Sequence, residues 1–288
     1  METIRLPRIM QETVIREKRT GRAVGFVPTM GALHEGHLSL VRAARAENDL
    51  VAVSIFVNPT QFAAGEDFDR YPRSMGEDLE KLSSSGLADI VFLPEKEAIY
   101  ATGFSTRVEV KGLSDRMCGR FRPGHFQAVA AIVLKLFNIA QPARAYFGQK
   151  DYQQAMIVKK MVKDLNVSVE VVVCPTVREA DGLAMSSRNV YLSAPERKAA
   201  PALYRALKAA ADALAAGRRN AADLASLMRA TLREEPLFTG VDYLSVFDPD
   251  TLDDLENKKT DMDAVLVAGA ARIGETRLID NLLVNHLK

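Results

Sequence analysis

Two histidines three residues apart stand in Pro28-Thr29-Met30-Gly31-Ala32-Leu33-His34-Glu35-Gly36-His37, between an apolar run at 23–27 and a helical pattern at 38–45. A strand, a glycine-bearing turn and two imidazoles at the mouth of a helix make a site for phosphates. Such a turn frees backbone N–H groups, and the helix N-terminus adds partial positive charge. At this spacing the imidazoles share a helical face and can both donate to one anion. The chemistry implied is that of a nucleotide. A metalloprotease is excluded, because that motif needs His-Glu-x-x-His with the rings four apart. A capping role for the pair is the competing account. His34, His37 and His125, three of the four histidines, lie near glycines in loop-like segments, where site chemistry is common.

Other clusters suit the same chemistry. In Ala184-Met185-Ser186-Ser187-Arg188-Asn189, two hydroxyl donors precede a guanidinium, a set that fits a polyphosphate. Alone it also reads as an N-cap with a surface arginine; paired with the histidine turn, the phosphate reading is preferred. Phe147-Gly148-Gln149-Lys150-Asp151-Tyr152-Gln153-Gln154 closes a strand and opens a helix. There Gly148 allows close backbone approach, Lys150 supplies a point charge and Asp151 can accept from ribose hydroxyls. A solvated turn with an N-capping Asp fits that segment equally well. In Asn58-Pro59-Thr60-Gln61-Phe62, the amides can orient a small polar substrate without adding charge. The acidic residues Glu66, Asp67, Asp69, Glu77 and Asp78 could help hold Mg²⁺ or simply be solvated. The loop 116–125 is basic and glycine-rich, suited to an anion or to a turn. Cys118, with no base in the sequence to activate it, reads as a bystander or a packing residue.

The elements that must position these residues alternate between strand and helix. A continuous apolar run at 50–57 reads as a parallel strand covered on both faces, and 89–94 looks similar after a helix over 75–85. The alternating stretch 106–110 follows, then a helix over 126–140, a strand at 144–147, a helix over 152–165 and a strand at 169–173. The pattern predicts a doubly wound, Rossmann-like parallel sheet with right-handed crossovers. Ligands of such sheets sit beyond the carboxyl ends of the strands, where both the 28–37 turn and the 148–151 segment fall. After Arg188 the character changes: an Ala-rich helix over 195–216, a break at 217–220, a helix over 221–234, then strands at 241–246, 264–270 and 276–280. The expected division is a nucleotide-binding domain at 1–175 and a smaller C-terminal α+β domain at 176–288, reading as a lid.

At 288 residues the chain can bury a sizeable core, and its apolar (48%) and charged (26%) fractions are those of a globular protein. A formal net charge of +1 argues against nucleic acid as the main partner. No stretch nears the ~20 apolar residues of a membrane span, and the first residues hold no apolar signal core. Cys118 and Cys174 lack disulfide or metal spacing. The default compartment is the cytoplasm.

Assembled in chain order, the segments at 27–37, 56–62, 71–73, 122–126, 147–154 and 181–189 resemble the pantothenate synthetase (pantoate–beta-alanine ligase) family. One departure is Arg178-Glu179-Ala180-Asp181, where a Pro is expected before the Asp and the turn before the serines could loosen. The resemblance implies membership of the HIGH-motif nucleotidyltransferases, with His34 and His37 as signature histidines and Met185-Ser186-Ser187-Arg188 in place of a Lys-Met-Ser-Lys-Ser loop. It also implies a two-step reaction: the pantoate carboxylate attacks the α-phosphorus of ATP, giving pantoyl adenylate and pyrophosphate, and the amine of beta-alanine then displaces AMP.

By the same resemblance His34, His37, Lys150 and Arg188 are the catalytic set, with His37 as proton donor, and act with Ser186, Ser187 and Mg²⁺ to neutralise the triphosphate. Met30, Gly31, Ala32, Leu33, His34, Glu35, Gly36 and His37 would line the nucleotide. Gly148, Gln149, Lys150, Asp151, Val177 and Met185 would complete its site. Gln61 and Gln154 would hold pantoate, with Gln61 also near beta-alanine; no carboxylate is assigned to the metal. A homodimer is implied, and neither nucleic acid nor membrane. Another nucleotidyltransferase of the superfamily, or a non-catalytic nucleotide-binding regulator, stays open as an alternative.

Overall fold

A computed structural model describes residues 1–256, 258, 260 and 262–285. The described residues form two compact units, one of Met1–Ser114, Arg122–Gln149 and Gln154–Pro175, the other of Asp115–Phe121, Lys150–Gln153 and the described part of Thr176–Lys288.

The first unit is built on a six-stranded sheet, all of whose recorded pairings are parallel. In chain order it runs β1 (Glu2–Ile4), α1 (Pro7–Arg19), β2 (Val24–Thr29), α2 (Glu35–Glu47), β3 (Leu50–Ile55), α3 (Met75–Ser85), β4 (Ile90–Phe92) and α4 (Lys96–Ile99). The short α5 (Cys118–Phe121) belongs to the second unit; α6 (His125–Ala140), β5 (Arg144–Gly148), α7 (Tyr152–Asp164) and β6 (Glu170–Cys174) follow. Strand order is β1-β4-β3-β2-β5-β6. The chain winds outward from β2 through β3 to β4, then restarts at β5 on the other side of β2. The order therefore reverses between β2 and β5, the switch point beyond whose carboxyl ends a ligand crevice forms.

Apolar runs become buried strands here because helices cover the sheet: all six residues of β3 are buried. Beneath the switch point, Gly25 of β2 faces Asn48, whose carboxamide fills the space a Cβ would take. Asn48 donates to the Tyr146 hydroxyl at 2.7 Å, which in turn donates to Glu47 at 2.7 Å. A fully buried hydroxyl is thus satisfied on both sides, as burial of a polar group requires.

The second unit carries α8 (Ala194–Ala199), α9 (Ala202–Ala215), α10 (Ala221–Arg233) and a three-stranded antiparallel sheet of β7 (Phe238–Phe247), β8 (Ala264–Ile273) and β9 (Thr276–Asn285). Leu203 and Leu207 of α9 lie over Gly269 of β8, where a larger residue would also meet Leu244. This is the expected α/β architecture, a doubly wound parallel sheet with a smaller α+β part.

Two local expectations change, and two elements are added. The helix expected over 195–216 is two, parted at Pro201, because proline has no N–H and crowds the preceding turn. The 106–110 stretch belongs to no strand; only Val110 of it is buried, so its alternation has no sheet face to serve. β1 and α1 are additional, α1 beginning at Pro7, which suits a first helical position.

The segment after β3 is anchored by charge. Arg122 donates to both Glu66 carboxylate oxygens at 2.6 Å. Burial alone would raise the Glu66 carboxyl, but the Arg122 fork and the Ala63 amide outweigh it and hold the group below its ordinary value of 4.5. A depressed carboxyl stabilises the fold fully above the unfolded value and loses that contribution as pH falls through the folded one. Glu66→Gln should therefore lower stability to urea at pH 7, by on the order of 1 kcal/mol once partial exposure is allowed for. The gap from the parent should narrow as pH falls below the ordinary glutamate range and protonation removes the carboxylate; a gap that does not narrow on acidification would assign the loss to packing instead.

Candidate nucleotide site

In the first unit the site begins where β2 ends. Gly31 (φ +84°) and Ala32 (φ +49°) turn the chain through left-handed conformations. The buried carboxylate of Asp78, in the first turn of α3, accepts the amides of Ala32 at 2.8 Å and Leu33 at 2.7 Å. The Gly31 amide donates to Thr29 Oγ1 at 3.2 Å. The turn does not free these N–H groups as expected: three consecutive amides are held by protein oxygens.

His34 is the N-cap of α2, and the two histidines cap each other. His34 Nδ1 accepts from the Gly36 amide at 3.1 Å, and His37 Nδ1 accepts from the His34 amide at 3.3 Å. Their ring centroids are 4.1 Å apart. In a neutral imidazole an accepting Nδ1 places the ring proton on Nε2, so each ring offers Nε2–H as a donor. Capping and donation, weighed as alternatives from the sequence, are compatible because they use opposite nitrogens of each ring.

The 3-10 turn Pro59–Gln61 follows β3 beside this turn. Gln61 Nε2 lies 2.8 Å from Met30 Sδ, and its Oε1 accepts from Asn58 Nδ2 at 3.3 Å. Asn58, almost fully buried, accepts in turn from the hydroxyls of Thr60 and Tyr100, each at 2.9 Å. Burial raises the Tyr100 phenol, with the bonds to Thr60 and Asn58 acting against it. His125, at the start of α6, lies 2.8 Å from the Gln61 carbonyl through Nδ1 and 2.9 Å from Arg122 through Nε2. Met30, His34, His37 and Gln61 are thus brought together at the ends of β2 and β3. Gly148 ends β5, the neighbour of β2, and a Cβ there would meet no protein atom within 4 Å. Gln149 follows it, and Gln154 is half-buried on α7.

The second unit holds the remaining residues. Lys150 lies 3.8 Å from Asp151, and its side chain is only 19% exposed. The Val177 carbonyl accepts from the Met185 amide at 3.0 Å, and Arg178 bridges Ala184, so 177–185 is a closed hairpin. The absent proline does not loosen it: Asp181 accepts from the Leu183 amide at 3.2 Å and pairs with Arg197 at 2.5 Å, a bond that holds its carboxyl below the usual range. From the hairpin the chain enters Ser186, whose Oγ accepts from the Arg188 amide at 3.3 Å and caps the 3-10 turn Ser187–Tyr191. Ser187 is buried.

Several singled-out residues serve the fold instead. The basic loop meets anions, but protein ones: Arg116 pairs with Asp253 and Arg122 with Glu66. Glu66 and Asp78, weighed as metal ligands, are engaged by these protein donors, and among the described residues no group of three or more His, Cys, Asp or Glu could hold a metal ion. Cys118 is buried, with Sγ 3.1 Å from the Tyr243 hydroxyl and 3.5 Å from Arg277. Sequence reasoning missed the turn-holding role of Asp78 and the bonds of Tyr100, which join segments 40 or more residues apart. No helix among the described residues is long and apolar enough to cross a membrane.

The sequence profile of pantoate-beta-alanine ligase matches residues 2–283. The pantothenate synthetase of Thermodesulfovibrio yellowstonii is 54% identical over 284 residues, covering 99% of this chain and all of its own. That of Herpetosiphon aurantiacus is 54% identical over 276 residues, 94% of this chain and 99% of the relative. A crystal structure of the Thermus thermophilus enzyme superposes with a TM-score of 0.92 at 48% identity, covering 98% of this chain and 99% of that one. The Francisella tularensis pantoate-beta-alanine ligase, complexed with beta-gamma ATP and beta-alanine, gives 0.78 at 34% identity, with 98% and 97% covered. On this full-length match the chain belongs to the pantoate–beta-alanine ligase family of ligases.

Proposed function

We propose that the chain condenses (R)-pantoate with beta-alanine to give pantothenate, using ATP and releasing AMP and pyrophosphate through a pantoyl adenylate. The observation that carries this reading is a family match that runs through both units, from residue 2 to residue 283 within β9.

The physical problem is charge. A carboxylate attacks a phosphate whose oxygens are already negative, so the reaction is slow unless charge is neutralised and the reactants are held in line. His34 and His37 donate through Nε2 to phosphate oxygens, with His37 the proton donor; Lys150, Ser186, Ser187 and Arg188 act on the triphosphate and the leaving pyrophosphate. Mg²⁺ would enter with ATP as part of the substrate and would supply further charge neutralisation at the phosphates. Because Ala32 and Leu33 amides are taken by Asp78, side chains rather than turn amides carry the anion load here. The open space at Gly148 supports close approach of the nucleotide to the backbone, with Gln149, Asp151, the Val177 backbone and Met185 around ribose and adenine. The remaining turn residues Met30, Gly31, Leu33, Glu35 and Gly36 complete its lining. Gln61 and Gln154 hold pantoate, and Gln61 lies near beta-alanine. Since the adenylate is itself the activated acyl group, no enzyme nucleophile is required.

In this reading 1–175 binds nucleotide and pantoate and 176–288 closes as a lid. Both cysteines are free thiols, which supports a reducing compartment; we place the enzyme in the cytoplasm, as a homodimer.

The direct test is AMP release with ATP and each acceptor in turn. AMP should appear only with pantoate and beta-alanine together, and release independent of beta-alanine would overturn the assignment. Lys150→Ala should slow ATP–pyrophosphate exchange by on the order of 10²–10³, the usual cost of a lost transition-state contact; wild-type exchange would remove Lys150 from the mechanism. Gln61→Ala should raise the KM for pantoate and leave that for ATP nearly unchanged. A large loss of ATP affinity would place the wrong ligand at Gln61.

A further inference from the structure

Lys150 and Ser186-Ser187-Arg188 come from separate segments of the second unit, and one pair of residues on β9 is bonded to both segments. Asn281 donates from its side-chain amide to the Lys150 carbonyl at 2.9 Å, fixing the backbone from which the lysine side chain starts. Asp280, the preceding residue, accepts both arms of the Arg178 guanidinium, at 2.6 and 2.9 Å. Arg178 opens the 177–185 hairpin. The same guanidinium donates to the Gly182 carbonyl at 3.0 Å, and to the Asn281 carbonyl at 3.4 Å. Its face lies 4.1 Å from the centre of the Tyr204 ring, which leaves it little freedom. The hairpin passes without a break into Ser186. The pair is also locked to itself, since the Asn281 amide donates to Asp280 Oδ1 at 2.8 Å.

Both residues are almost fully buried, at 5% and 3% exposure. Burying a carboxylate and a carboxamide side by side in a strand is costly, and apolar residues of similar size would hold such a sheet at least as well. What apolar residues cannot do is fix the position of two loops by directional bonds. We propose that Asp280 and Asn281 are positioning residues for the ATP-activating step, holding Lys150 and Ser186-Ser187-Arg188 at a set separation so that their donors meet one polyphosphate. This rests on the reading that those four residues bind the ATP phosphates. Neither Asp280 nor Asn281 need touch the substrate.

The test is a double-mutant cycle on the full-length protein, read by pantoate-dependent ATP–pyrophosphate exchange. Asn281→Leu, near in size and without the donor, should lower the exchange rate roughly tenfold to a hundredfold, the cost of misplacing a reacting group by about an ångström. The KM for pantoate should not move, which a general loosening of the protein would not spare. In Lys150→Ala the charge that Asn281 positions is gone, so Lys150→Ala/Asn281→Leu should exchange no more slowly than Lys150→Ala alone. Multiplied losses, with Lys150→Ala itself slow, would overturn the positioning role while leaving the phosphate reading intact. Wild-type exchange by Lys150→Ala would overturn both. Asp280→Asn, which keeps the shape and removes the charge, carries the same cycle through the other arm with Arg188→Ala, and decides the matter if the Asn281 variant does not fold.

Discussion

The histidine turn depends on one buried carboxylate. Asp78 reaches from α3 to take the amides of Ala32 and Leu33, and so stabilises two consecutive left-handed residues, one of which carries a side chain. A left-handed residue other than glycine costs about 1 kcal/mol, so an outside partner has to hold it. Gly31 is constrained twice: by its positive φ, and because a Cβ would stand 3.0 Å from that same carboxylate. With the turn set, His34 leaves it extended and becomes the cap of α2 (φ −132°, ψ 176°). The placement of both imidazoles therefore follows from a residue 41 positions further along the chain than His37.

What the sequence could reveal depended on range. The buried strands were legible because a continuous apolar run such as 50–57 has few other uses, and the 75–85 helix because its pattern is periodic from end to end. The Pro201 break could have been read from the proline alone, but an alanine-rich stretch on either side masks it. Residues such as Asp78, Asn58 and Asp280 were not legible in their roles. Their partners are carbonyls, amides and hydroxyls on distant segments, and nothing local marks an aspartate that meets two backbone amides as different from one that meets water. The basic loop 116–125 misled for the same reason, two of its three arginines, Arg122 and Arg116, having acidic partners at 66 and 253.

The two units use polarity differently. In the first, Asn58 and Asp78 are buried around the turn at the carboxyl ends of β2 and β3, while Asn48 and Tyr146 form a buried polar link nearer the amino ends of the strands. In the second, the consecutive buried pair Asp280-Asn281 stands between Leu278-Ile279 and Leu282-Leu283 of β9 and gathers loops around it. In both, main-chain groups of loops are tied to side chains of regular elements, so loop geometry inherits the rigidity of the sheets. A reaction that needs no enzyme nucleophile places its whole demand on such geometry.

The mutual capping of His34 and His37 ties chemistry to folding at a single pair of rings. Each Nδ1 holds the start of α2, while each Nε2 is the atom that would meet the substrate. Drift at either position is thereby penalised twice over. A residue that restored the cap without an outward donor, as serine or aspartate would, rebuilds the helix and leaves the chemistry empty; a cationic side chain without an acceptor does the reverse. Of the twenty side chains, imidazole offers an acceptor and a donor on opposite edges of one rigid ring, so this corner of the protein has almost no neutral route along which to evolve.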